Sequence, residues 1–105
     1  MTSAWESTTV DNSTMPLYLS VPERGGPVPG IVVVHGQSGL ENFIKETTHM
    51  LALQGYAAIA PDLYHRDGPD CKDDNMTKKS RVRDSNIIAD ITGAMQFLKN
   101  QRQVD

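Results

Sequence analysis

Residues 31–34, Ile-Val-Val-Val, form an unbroken β-branched run that ends on His35-Gly36. A run with no polar alternation suits a strand buried on both faces, as in a parallel sheet covered by helices. Gly36-Gln37-Ser38-Gly39 follows and gives the backbone unusual freedom. From Phe43 the apolar positions 43, 44, 47 (a threonine), 50 and 51 recur at helical spacing. Gly55 stands where a left-handed cap would stop that helix. Tyr56 to Ala60 is a second short apolar run, closed by Pro61-Asp62. Strand, helix and strand with short links make a βαβ unit with a right-handed crossover.

The flanks extend this unit. Residues 4–10 are rich in Thr and Val and read as a strand, and Asp11-Asn12-Ser13 reads as a turn. In Met15–Val21, Met15, Leu17, Leu19 and Val21 share one face, with Tyr18 and Ser20 opposite, the pattern of a half-buried strand. Pro16, without an N–H, favours that strand's start or an edge. Pro22–Pro27 is a loop by composition, and 67–79 is polar with Gly68-Pro69 as a turn. Ile87, Ile88, Ile91, Met95 and Leu98 mark a second amphipathic helix over 84–101, with Asp84 or Ser85 as N-cap. Gly93 weakens that helix by about 1 kcal/mol relative to Ala and permits close packing. Such a helix normally returns the chain to a further parallel strand, and none follows before Asp105. That pattern predicts one partial domain without internal repeats.

Composition excludes several function classes. A chain of 105 residues with 38% hydrophobic and 22% charged content and a net charge of −3 gives no reason to expect nucleic acid or an anionic membrane as partner. No apolar run approaches a bilayer span, and Met1–Glu6 has no signal-peptide pattern. Cys71 is alone, so no internal disulfide forms, and a cytoplasmic location is the default expectation.

Several residues carry chemistry. The loop after His35-Gly36 either aims backbone amides at an oxyanion or is an ordinary glycine-bearing βα turn. Gly36-x-x-Gly39, with no Lys-Ser/Thr after it, meets neither the dinucleotide fingerprint nor the P-loop. Asp62 reads as a turn or cap residue, and His65, beside Arg66, as a loop histidine without a visible partner. His35, His49 and His65 lack metal-ligand spacing, and no metal or cofactor is expected. Ser38 is not in a G-x-S-x-G elbow. Cys71 lies in an acidic loop with Asp70, Asp73 and Asp74, which disfavours a thiolate. Lys78, Lys79, Arg81 and Arg83 read as a solvated basic face, or as a contact for an anionic substrate group.

Three strings, PGIVVVHGQSGL, FIKETTHMLALQGYAAIAPDLYHR and DITGAMQFLKNQ, resemble the dienelactone hydrolase family of α/β-hydrolases. The resemblance covers the first half of that family's domain. It implies a three-layer αβα fold with a mostly parallel sheet, about four strands and two main helices being present over residues 1–105. It implies hydrolysis of small ester or lactone substrates by a Cys or Ser nucleophile with His and Asp. By this resemblance the Gln37 backbone N–H serves an oxyanion hole, its second donor coming from the residue after the nucleophile. Gly36 lies at the substrate, where many dienelactone-cleaving members carry Glu, which suits a broader esterase. Arg81 or Arg83 matches an arginine that holds a substrate carboxylate in some members. The nucleophile, Asp and His are expected beyond Asp105, so this chain alone should be inactive. In the resembled fold, strand 31–35 would lie bare at the sheet edge and invite self-association. An inert remnant serving as an interaction module is the non-enzyme alternative, and a flavodoxin-like nucleotide-binding domain a third.

Overall fold

Asp11 and Asn12 take positive φ values of 52° and 61°. Two consecutive left-handed residues make a two-residue turn whose twist matches the strands it joins. The computed structural model, which describes residues 2–23, 27–68 and 71–101, therefore opens with a long hairpin. It comprises β1 (Thr2–Val10) and β2 (Ser13–Val21), paired in register from Val10↔Ser13 to Thr2↔Val21.

The βαβ unit follows as β3 (Gly30–Val32), α1 (Asn42–Leu53) and β4 (Ala57–Pro61). β4 inserts between β2 and β3, giving the spatial order β1-β2-β4-β3. β3–β4 is parallel, whereas β1–β2 and β2–β4 are antiparallel. The sheet is thus mixed, and its parallel part is confined to the βαβ unit. β3 is shorter than the run 31–35 suggests: Val33 N–H still reaches Ile59 O at 2.8 Å, and there the ladder stops. The next donor on β4 would be Pro61, which has none.

Met15, Leu17, Leu19 and Val21 pack with Ala57, Ile59, Ala94 and Leu98 beneath α3 (Asp84–Lys99). On the opposite face α1 turns Ile44, Thr48 and Ala52 inward. β2 thus has one buried face, as its alternation suggests, and a second face that is partly covered: Tyr18 is half-buried, and Ser20 is fully enclosed, its Oγ 2.8 Å from Ser3 Oγ. On the same face Lys45 Nζ lies 5.8 Å from the centroids of both Trp5 and Tyr18, tying helix to hairpin. α1 ends at Gly55 (φ 101°), with Tyr56 N–H on Leu51 O and Gly55 N–H on Ala52 O, both 3.1 Å. That pair of bonds is a Schellman cap.

Three local expectations are corrected. The N-cap of α3 is Arg83, without a side-chain cap, and Asp84 is already helical, where its charge favours the positive helix end. The polar stretch 67–79 contains α2 (Asn75–Arg81), capped by Asp74 Oδ1 accepting from Thr77 N–H at 2.8 Å. α2 buries no residue, so it had no apolar period to reveal it. A short 3₁₀ turn (His65–Asp67) precedes it. The readings at Arg24–Gly26, Pro69-Asp70 and the end from Arg102 lie outside the described residues.

Candidate functional site

Where β3 runs out, His35 is buried and both its ring nitrogens are engaged. Leu63 N–H donates to Nε2 at 2.9 Å. A backbone N–H can only donate, so Nε2 carries the lone pair and Nδ1 the proton. Nδ1–H then donates to Gly36 O at 2.7 Å. His35 is thereby a strut between the two strand ends, with no nitrogen left for general-base work.

Gly36 O also accepts from Gly39 N–H at 3.1 Å, which closes a four-residue turn. Neither Gln37 nor Ser38 has positive φ, so the turn is of type I. Gly39 does (φ 72°), which carries the chain back over the Tyr64 ring. A trans peptide sets its N–H opposite its C=O. With Gly36 O held by two donors on the inner side, the Gln37 N–H is aimed outward, and it meets no acceptor among the described residues. Tyr64 Oη donates to Gln37 O at 2.8 Å, and its ring lies edge-on to His35 at 4.9 Å. Burial, then the Asp62 charge, pushes the Tyr64 phenol above its ordinary range, so it remains a donor at neutral pH. Asp62 Oδ1 accepts Tyr64 N–H at 2.9 Å, the turn role its sequence position suggested.

This loop borders an open cleft of about 320 Å³. Val34, His35, Gly36 and Gln37 form one side, with Leu63 and Tyr64 beside them, and Lys79, Val82 and Ile87 reach in from α2 and the start of α3. Gln37 and Gly36 thus meet in one place. Arg81 and Arg83 do not line it. Arg81 pairs with Asp67 at 3.2 Å and with Asp73, and these hydrogen bonds raise its pKa further. Arg83 donates to Ser80 O at 3.1 Å. The cation in the cleft is Lys79, which the sequence presented only as one member of a basic run.

His65 departs from its expected role as a lone loop histidine. It is buried, with Nε2 2.8 Å from Asp90 Oδ1 and Nδ1 2.9 Å from Ser13 Oγ. Arg66 donates to both Asp90 oxygens at 2.9 and 3.0 Å and to Asp11 Oδ2 at 2.6 Å. This cluster pins the hairpin tip to the 3₁₀ turn after β4 and to α3, and lies outside the cleft's lining. Sequence reasoning passed over Asp90. Its signal was a carboxylate on the same helical face as Ile87, Ala94 and Leu98. Among the described residues no group of three or more His, Cys, Asp or Glu is placed to hold a metal, and no helix is long and apolar enough to cross a membrane.

Comparison with known proteins identifies the family and the fold. The profile of the dienelactone hydrolase family matches residues 15–105. The chain is 33% identical over 101 residues to a candidate carboxymethylenebutenolidase of Methylorubrum extorquens, covering 91% of this chain and 35% of that protein. It is 40% identical over 83 residues to a candidate carboxymethylenebutenolidase of Escherichia coli, covering 73% of this chain and 31% of that one. The crystal structure of a candidate dienelactone hydrolase from Klebsiella pneumoniae superposes with a TM-score of 0.86 at 28% identity, over 99% of this chain and 45% of that one. The chain therefore spans about a third of the length of the curated relatives it matches.

Proposed function

This chain belongs to the dienelactone hydrolase family, and from that membership we propose that it forms the N-terminal part of an α/β-hydrolase cleaving ester or lactone bonds of small molecules. The observation that carries the reading is the outward Gln37 N–H, fixed because both donors to Gly36 O hold its peptide plane. An amide fixed before the reaction stabilises a developing oxyanion without reorganising. The proposed division of labour assigns the nucleophile, its His and Asp, and the second oxyanion donor to segments following Asp105. Gly36 puts no charge beside the nucleophile, which favours a broad range of esters over a dienelactone-specific site. An anionic substrate group would meet Lys79 first, and Arg81 or Arg83 only at the rim. The proposed compartment is the cytoplasm.

The test uses the protein with its nucleophile segments in place. Proline suits the second position of a type I turn, so Gln37→Pro removes the N–H while keeping the backbone. Ester hydrolysis by Gln37→Pro should fall about 100-fold or more below that of Gln37→Ala, which keeps the N–H. Equal rates for the two variants would sink the reading.

A second reading, an interaction module, draws on the sheet edge at β3, where Val34 is 48% exposed. The edge would pair with a second copy. Sedimentation of the 105-residue chain should then show association that Val32→Lys abolishes; a monomer at all concentrations would remove this reading.

A further inference from the structure

We propose that Tyr64 is the positioning residue of the 36–39 turn: its phenol fixes the backbone of Gln37 and with it the aim of the Gln37 amide. The proposal rests on the oxyanion reading above and deepens it. A residue's backbone has two soft dihedrals, bounded by the peptide planes on either side. For Gln37 the preceding plane is held at Gly36 O, by His35 and Gly39. Among the described residues the following plane is held by Tyr64 Oη alone, 2.8 Å from Gln37 O. The grip on the following plane restrains φ and ψ of Gln37 and so resists rocking of the preceding plane, which carries the Gln37 N–H.

Tyr64 is itself held rigidly enough to serve. Asp62 Oδ1 fixes its N–H at 2.9 Å. Its ring meets His35 edge-on at 4.9 Å, and a Cβ built at Gly39 would lie 3.5 Å from the ring, an ordinary contact. The ring is thus flanked by His35 and passes close to Gly39, while the hydroxyl grips the Gln37 carbonyl. The phenol's raised pKa keeps the proton in place through neutral pH.

The Tyr64→Phe variant removes the grip and keeps the ring. In the 105-residue chain, the carbonyl ¹³C resonance of Gln37 should lose its hydrogen-bond displacement and the Gln37 amide should become more mobile, while the Leu63 amide, held by His35, stays in place. In the complete hydrolase, kcat for an oxyester should fall about tenfold, with KM changed by less than about twofold. The fall should be smaller for the matching thionoester, whose sulfur anion accepts N–H bonds weakly. A purely packing role predicts equal losses on both substrates, and that outcome, or an unmoved Gln37 carbonyl, overturns the proposal. If the complete protein cleaves no ester, the hydrolase reading fails, and the carbonyl and mobility readouts still decide whether Tyr64 holds the turn.

Discussion

His65 Nε2 lies 2.8 Å from Asp90 Oδ1, with the two side chains 0% and 1% exposed. Asp90 is also the shared acceptor of Arg66. Asp90→Ala would leave the buried His65 ring without its partner and the partly exposed Arg66 with Asp11 alone. Removing one member of a buried ionic cluster costs about 3–5 kcal/mol. Urea unfolding should show that loss as a lower midpoint with an unchanged slope. A shift below about 1 kcal/mol would mean that water replaces the carboxylate freely.

Gly93 sits where a Cβ would come within 2.7 Å of Val10 Cγ2. The sequence suggested close packing here, and the contact defines it. Alanine should add about 1 kcal/mol of helix propensity. It should lose more, about 1–3 kcal/mol, by overpacking against a β-branched side chain that cannot swing away. We expect Gly93→Ala to lower the thermal midpoint and Val10→Ala to rescue it. Additive effects of the two would rule out the clash.

His35→Ala should leave Leu63 N–H unpaired in the interior, at a cost of about 1–3 kcal/mol in addition to the void. Hydrogen exchange should report it locally. Leu63 loses protection before the β4 amides do, and simultaneous loss would contradict the strut assigned to His35.

Acid should loosen α2 before it unfolds the sheet. The Arg81 hydrogen bond holds Asp73 below the usual carboxylate range, and the bond from the Thr77 backbone N–H does the same for Asp74. Both folded pKa values are lowered, so the unfolded segment takes up protons first as pH falls. Their stabilisation is present above about pH 4 and is lost as pH drops through the lowered folded values. Amide exchange at Thr77 should accelerate over that window while Ile59 stays protected. No change at Thr77 down to pH 2 would exclude the cap as the support of α2.

Much of this fold was legible because its signals are local. Residues 31–34, 43–55 and 56–61 carry apolar period, cap and terminator in one stretch; α1 and β4 match them, whereas β3 stops at Val32 and the run expected to be buried on both faces leaves Val34 exposed. α2 escaped because it buries no residue and so carries no apolar period, leaving only Asp74 to mark its start. His65 and Ser13 escaped for the opposite reason: 52 residues separate them, and no local pattern records such a partner. At the candidate site, the strand-end glycine loop was legible in the sequence, while Gln37 and Gly36 were named through the family resemblance. The Tyr64 grip on Gln37 was not legible, because it joins residues 27 apart through a side chain that also reads as packing.

The strand order β1-β2-β4-β3 also divides the polypeptide in time. The hairpin can close around Asp11-Asn12 and the βαβ unit can assemble over residues 30–61, each from contacts close along the chain. The seam between them, Leu17–Ser20 against Ala58–Pro61, bridges about 40 residues and must wait for both halves. The β2–β4 pairing is therefore expected to form after both halves. Substitutions at Leu19 or Ile59 should then slow folding more than substitutions in the hairpin turn, which stopped-flow refolding would read.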